Sequence, residues 1–330
     1  MEIYDIIIVG GGPAALTAGL YAARRNLKTL ILSETLGGQM ALAHIIENYP
    51  GVESISGMEL AEKMKKQAEK FGCEFKLAKV GGLELKGEIK KVKTPGKEYS
   101  AKIVIIATGS HYRRLEVEGE EKFIGKGVSY CATCDMPLFK DKKVAIIGGS
   151  DSAVTAAMYA SEIASETFLI HRRDKVRAEE VTQEKLKKSS VKPIWNSVVE
   201  KVEGDKFVNK IIIKNVKTNE TQELELDGIF IEIGEIPTTE IVKAAGVEIN
   251  EKNFVKVNDK FETNIPGVYA AGDVTGSFAQ IVVAAAEGAE GATNAYLYLK
   301  GGFYGERKPA DYGEKKKWGN RLKKRFLLFL

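Results

Sequence analysis

Residues 5–15 read DIIIVGGGPAA, and residues 143–153 read KVAIIGGSDSA. The first is a short apolar run ended sharply by glycines, the pattern of a buried parallel strand feeding a helix. Pro13 falls at the first helical position, where its missing N–H costs nothing. In this turn Gly10 suits the tight bend, Gly12 lets backbone amides approach a pyrophosphate, and Ala15 lets helix pack on strand. A second strand is expected over 29–32, and Glu34, just past its end, is placed to hydrogen-bond a ribose hydroxyl. The second stretch restates the first, with Gly148 matching Gly10, Ser150 matching Gly12 and Ala153 matching Ala15. Such an internal repeat marks a duplicated unit, here two dinucleotide sites. The repeat's second strand, 167–170, runs into His171-Arg172-Arg173, with Arg177 beyond. Arginine at that strand end suits the 2′-phosphate of NADP, whereas an acid suits NAD. His171 itself reads equally well as a cap or packing residue. The fold class is α/β, with two Rossmann-like units.

Between the repeats lies Cys131-Ala132-Thr133-Cys134-Asp135. Two cysteines at this spacing close and reopen a small disulfide ring, and the pairing lowers one thiol's pKa so that a thiolate is available near neutral pH. Cys73 has no partner in sequence and reads as a buried, inert thiol. Tetrahedral zinc needs four ligands, and one Cys-x-x-Cys with only His44, His111 and His171 elsewhere supplies them poorly, so no metal is expected.

The rest of the chain reads as supporting structure. A helix is expected over 57–71, a small antiparallel sheet over 75–106, and another antiparallel stretch over 191–233. Strand 268–271 runs into Gly272-Asp273, and a small-residue helix spans 282–295. The chain carries a formal charge of +4. Residues 305–330 hold nine Lys/Arg against three Asp/Glu, so the remaining residues sum to about −2. A near-neutral body argues against nucleic-acid binding. Trp318, Leu322, Phe326 and Phe329/Leu330 fall on one side of the tail at helical spacing, which suits docking to a subunit or, less favoured, a membrane surface, and a solvated tail reads equally well. No run approaches the ~18 apolar residues of a membrane span. Met1-Glu2 passes straight into an apolar run with no basic region, so no secretory leader is expected. Three cysteines make no disulfide framework, and a cytoplasmic setting follows.

Taken in order, GGGPAALTAGLYAAR, GGQ, ENYPG, ATG, GVSYCATCD, HRRDKVRA and AAGDV resemble the low-molecular-weight flavoprotein thioredoxin reductases, over nearly the whole chain to about Lys300. The resemblance implies a discontinuous FAD-binding domain (1–113 and 238–300) interrupted by an NADPH-binding domain (114–237) that carries the dithiol. Residues 301–330 form a basic amphipathic tail, and a homodimer is implied. It also implies that FAD is held by Gly10, Gly12, Pro13, Ala14, Ala15, Glu34, Gly38, Gln39, Asn48, Thr108, Gly109, Gly272, Asp273, Gln280 and Ile281. NADPH is implied at Gly148, Ser150, Asp151, Ser152, His171, Arg172, Arg173 and Arg177. Cys134 is the implied flavin-facing thiol, Cys131 the thiol that attacks the partner's disulfide, and Asp135 their acid–base group. The implied partner is thioredoxin or a thioredoxin-like protein. The inserted domain is expected to rotate on connectors near 113–117 and 234–238.

Three departures from the family's pattern stand out: Ser150 for the second Rossmann glycine, Thr155 and Ala156 for glutamates, and Met136 for the glycine after the aspartate. The first two bear on the donor, the third on partner access. The alternatives are a reductase of a glutaredoxin-like or peroxiredoxin-linked carrier, or one using a donor other than NADPH. A disulfide-forming oxidase is disfavoured because oxygen needs no arginine cluster. A non-enzymatic flavin-bearing redox sensor is the remaining reading, and rapid turnover of a disulfide substrate excludes it.

Overall fold

The computed structural model describes residues 2–301 apart from His44. The expected basic tail lies almost wholly outside the described residues.

The run that opens the chain is strand β1 (Ile3–Val9), whose Ile6, Ile7 and Ile8 are fully buried. It leads through the glycine turn into α1 (Pro13–Ala23) and then β2 (Thr29–Ser33). Helix α2 (Gly57–Lys70) starts in a capping box, in which the Ser56 hydroxyl accepts from the Glu59 N–H and the Glu59 carboxylate accepts from the Ser56 N–H. Strand β3 (Glu74–Leu77) follows, then β4 (Gly82–Glu84), β5 (Lys90–Thr94) and β6 (Lys97–Ile106). The sheet order is β3-β2-β1-β6-β5-β4. The antiparallel expectation over 75–106 holds for β4, β5 and β6 but not for β3, which runs parallel to β2. The reason is topological: α2 is a crossover helix, and a crossover returns the chain in the same direction.

The chain leaves this unit through β7 (Ser110–Tyr112) and enters a second one. There β8 (Val128–Ser129), the short α3 (Ala132–Asp135), β9 (Lys143–Gly148), α4 (Asp151–Ser161), β10 (Glu166–Ile170), α5 (Glu180–Lys187) and β11 (Lys192–Ile194) follow in order. Strands β12 (Ser197–Gly204), β13 (Val208–Asn215) and β14 (Thr221–Glu225) form a separate antiparallel sheet. Strand β15 (Gly228–Glu232) then rejoins the parallel sheet, whose order is β11-β10-β9-β15-β8. The antiparallel expectation over 191–233 is therefore corrected at both ends. Strand β11 lies parallel to β10, and β15 parallel to β9. Both join the parallel sheet through crossovers, and an apolar alternation does not reveal the direction of its neighbour.

The return strand β16 (Glu235–Pro237) pairs antiparallel with β7, so the two crossings between the units form one two-stranded ribbon. Bonds from Arg113 N–H to Gly234 O (2.9 Å) and from Thr238 N–H to Gly109 O (3.0 Å) lengthen it by a residue at each end. Helix α6 (Glu240–Ala244), β17 (Val268–Ala270) beside β6, and α7 (Ile281–Leu299) complete the first unit. The apolar cores divide accordingly. One pair of clusters draws on residues up to 107 and from 241 onward, and the other draws only on 115–233.

Helix α7 packs on α1 at very close range. A Cβ on Gly288 would stand 2.2 Å from the Ala14 carbonyl oxygen, so glycine sets the helix separation. Gly288→Ala must push α7 away from the glycine turn. We expect a loss of about 1–3 kcal/mol by thermal unfolding, as for overpacked cores, together with weaker retention of any nucleotide held beside Ala14.

Candidate active site

The carboxyl ends of β1 and β6, the glycine turn, and the segments around 38–48 and 272–284 enclose a cavity of about 1150 Å3. Its wall on the far side belongs to the inserted unit, through Tyr130, Cys131, Cys134 and Asp135. Of the residues expected at FAD, Gly10, Gly12, Pro13, Ala14, Glu34, Gly38, Gln39, Asn48, Thr108, Gly109, Gly272, Asp273, Gln280 and Ile281 all line this cavity. Ala15 lies behind it, fully buried between helix and strand.

Local geometry explains the gathering. Gly10 has φ +127, and a Cβ there would stand 2.0 Å from the Ala107 oxygen, so only glycine makes this turn. Gly12 is the N-cap of α1 and makes no side-chain cap bond, and a Cβ there would meet only Gly37 O, at 3.9 Å. The first-turn amides therefore open on the cavity, as an anion site at a helix N-terminus requires. Glu34 stands on the wall past β2, within 3.4 Å of Lys79. Gln39 donates to the Ser110 oxygen (3.1 Å), Thr108 to the Thr238 oxygen (2.7 Å), and Asn48 to the Gln280 side chain (3.2 Å). Glu287, which the sequence did not single out, accepts from the Gly272 N–H at 2.7 Å and fixes the Gly272-Asp273 turn. Burial, with Glu235 and Glu287 nearby, pushes the Asp273 carboxyl up to about 6. A cradle with an open helix N-terminus, an acid past β2 and polar side chains along a long apolar slot fits a flavin dinucleotide.

Cys131 and Cys134 are joined as a disulfide, Cα to Cα 5.3 Å, at the start of α3. Gln280 Nε2 lies 3.8 Å from Cys134 Sγ and 4.0 Å from Cys131 Sγ, which brings the two units together at the sulfurs. Asp135 is half-buried: partial burial raises its carboxyl above the ordinary range, and a bond from the Ser129 hydroxyl (2.6 Å) pulls it back. Glu232 ends β15 and accepts from the Ala132 N–H at 3.3 Å, and burial likewise raises its carboxyl. Neither Ser129 nor Glu232 was legible as a site residue. Ser129 stands inside GVSYCATCD, and Glu232 is the one acid closing an apolar run, which is the only signal it gives.

The second glycine turn gathers its own set at the carboxyl edge of the inserted sheet, outside the cavity. Ser150 caps α4, and its hydroxyl accepts from the Ala153 N–H at 3.4 Å. Asp151 accepts from the Glu179 N–H (2.9 Å), and the Arg177 N–H donates to the Gly149 oxygen (2.7 Å). Ser152 is exposed on the first turn of the helix. Arg172, Arg173 and Arg177 are exposed, and among the described residues none of them makes an ion pair. His171 is buried with its ring against Gly149, and its Nε2 has no partner. Burial lowers its pKa, so it stays neutral and supports the loop as packing. Thr155 is exposed and Ala156 buried on α4. Cys73 is buried, its thiol pushed up to about 12 by burial.

Residues 4–288 match the pyridine nucleotide-disulphide oxidoreductase family. The thioredoxin reductase of Peptoclostridium acidaminophilum is 41% identical over 92% of this chain and 99% of its own. The chain belongs to the thioredoxin reductases. The crystal structure of the Streptococcus pyogenes MGAS5005 thioredoxin reductase is similar at TM-score 0.87, with 41% identity, covering 91% of this chain and 99% of that one. The Lactococcus lactis thioredoxin reductase, in what is termed its FR conformation, is similar at TM-score 0.63, with 42% identity, covering 90% and 99%. The protein is thus an oxidoreductase of an FAD- and NADPH-binding family, a flavoprotein disulfide reductase.

Asp273 yields a test independent of turnover. A carboxyl whose folded pKa is raised, from 3.8 to about 6, binds its proton more tightly in the native state. Its contribution to stability is then fully present below pH 3.8 and is lost as pH rises through about 6. In flavin-stripped protein, Asp273→Asn is expected to raise Tm above pH 6 and to leave it unchanged near pH 4.

Proposed function

We propose that the protein is a thioredoxin-disulfide reductase in which electrons pass from NADPH through FAD to the Cys131–Cys134 disulfide and out to a thioredoxin-like protein. The observation that carries this is the position of the disulfide, on the wall of the dinucleotide cavity within 4.0 Å of Gln280 from the opposite unit. Bound FAD supplies a carrier that takes a hydride and passes two electrons on. In this reading the cavity residues named above hold FAD, within a domain of 1–113 and 238–300. The turn from Gly148 to Ser152 with Arg172, Arg173 and Arg177 holds NADPH in 114–237.

The chain's own chemistry is thiol exchange. The Cys131 thiolate attacks a sulfur of the partner's disulfide, forming a mixed disulfide and releasing a partner thiolate. The Cys134 thiolate then attacks the Cys131 sulfur, closing the 131–134 bond and releasing the reduced partner. Asp135 moves the proton that these thiols gain or lose. Two electrons leave the dithiol and two arrive on the partner.

In the present arrangement the sulfurs occupy the cavity wall, while the second glycine turn and its arginines lie outside it. Both cannot face the flavin together, so the inserted unit must turn on the β7–β16 ribbon. Two relatives of nearly equal identity, 41% and 42%, differ in TM-score by 0.87 against 0.63, which supports a difference in arrangement rather than in fold. The same reading includes a homodimer, on family resemblance, working in the reducing cytoplasm. The cysteine inventory suits that setting, since two form the redox pair and the third is buried.

Anaerobic NADPH is expected to bleach the flavin's visible absorbance, with NADH much less effective. Cys131→Ser and Cys134→Ser should each abolish NADPH-coupled reduction of thioredoxin while FAD stays bound. Turnover retained in either variant removes the dithiol from the pathway. At the donor site, Ser150→Gly frees the Ala153 amide and clears the turn. The KM for NADPH is expected to fall severalfold at unchanged kcat, measured by steady-state kinetics.

A further inference from the structure

The hydroxyl of Ser129 occupies an unusual place. It ends β8, the edge strand beside β15, and is 6% exposed. Its Oγ stands 2.6 Å from Asp135 Oδ2, 3.1 Å from the Cys131 amide nitrogen and 3.4 Å from the Cys131 carbonyl oxygen. A hydroxyl has one proton to give. The short contact assigns it to the carboxylate, and the lone pairs then accept the Cys131 N–H. One buried oxygen thus links the acid to the backbone of the thiol it serves. The bond engages Oδ2 and leaves Oδ1 for a proton in transit.

The need for such a link follows from the environment. Asp135 is carried on a four-residue helix whose next residue, Met136, is fully buried, and among the described residues it makes no ion pair. The titratable groups around it are Tyr112, reaching in from β7, and Glu232, held at the Ala132 amide from β15. Neither is a cation. A charge-assisted bond as short as 2.6 Å is the strong kind, and among the described residues it is the one side-chain bond that favours the ionised acid.

We propose that Ser129 is a positioning residue for dithiol–disulfide exchange, fixing Asp135 against the Cys131 backbone so that the acid is aimed at the sulfurs. The inference rests on the reading of Asp135 as the acid–base group.

The test uses the FAD-loaded enzyme with NADPH and thioredoxin, in the variants Ser129→Ala, Ser129→Thr, Asp135→Asn and Ser129→Ala/Asp135→Asn. Ser129→Ala is expected to lower kcat for disulfide reduction by on the order of tenfold to a hundredfold, part of what general acid–base catalysis supplies. The KM for NADPH and the rate of flavin reduction by NADPH should not change, since neither involves the dithiol. The lost bond favoured the carboxylate, so the pH limb governed by Asp135 moves to higher pH. Ser129→Thr keeps a hydroxyl and should restore both rate and limb. In the Asp135→Asn background, Ser129→Ala should cost nothing further. An unmoved limb, or an equal further loss in that background, overturns the proposal. If Ser129→Ala loses its flavin, Ser129→Gly is measured in its place by the same criteria. Failure of the underlying reading looks different: Asp135→Asn alone then turns over like the parent enzyme.

Discussion

Everything at the site depends on the way the two units are tied. The chain crosses between them twice, and the crossings are hydrogen-bonded to each other, Glu235 opposite Tyr112 and Pro237 opposite Ser110. Two separate tethers would resist rotation or permit many paths. A paired ribbon behaves as one strap, which leaves the inserted unit few ways to move. The sulfurs belong to one unit and most of the cavity to the other, so the strap decides when they meet. Its own side chains reach the site. Tyr112 stacks on Tyr130, ring centroids 5.4 Å apart and planes 8° from parallel, and Tyr130 directly precedes Cys131. The Tyr130 hydroxyl donates to Glu120 at 2.7 Å, and Glu120 also accepts from the Glu116 N–H at 2.7 Å and the Leu115 N–H at 3.0 Å. The connector leaving the ribbon is thereby fastened to the residue before the redox cysteine. Any turning of the inserted unit must carry or break the Tyr112–Tyr130 stack.

The electrostatics of the cavity follow from its position between two cores. Asp135, Glu232 and Asp273 all have raised carboxyl pKa values, with burial the largest cause in each case. Tyr112 lies among them, its phenol raised by burial and by Glu235, Asp273, Glu232 and Asp135. Raised carboxyls such as Asp135 and Asp273 on the cavity wall keep protons available where thiols must gain and lose them, while Lys79 and Lys142 line other parts of it. The arginines stand apart from it: Arg172, Arg173 and Arg177 are exposed at the outer edge of the inserted sheet.

Much of this was legible in the sequence because it is local. Strand, glycine turn and helix are set by consecutive residues, and the same grammar twice over gave both Rossmann-like units. Cys131 and Cys134 were legible because their spacing is itself the chemistry. Strand direction was not legible: 74–77 and 192–194 alternate as an antiparallel edge does, and only the crossover before each one decides that it runs parallel. Ser129, Glu232 and Glu287 were missed because each acts on a residue brought near by the fold, from 6 to 100 positions away. Local pattern carries no trace of such pairs.

The two glycine turns show how far a motif's logic extends. Gly12 has φ −80 and ψ −175, and Ser150 has φ −83 and ψ 173, so both are ordinary extended N-caps that any residue can adopt. Glycine at this position is therefore a matter of clearance and not of backbone freedom, unlike Gly10, where φ +127 demands it. A serine leaves the fold of the second unit intact and alters only what may come close to the helix end. It also supplies its own acceptor to an amide that an incoming pyrophosphate would use. In the function proposed above, the first turn, unobstructed and walled in, is the one that keeps FAD, and the second, self-capped and open to solvent, is the one where NADPH comes and goes.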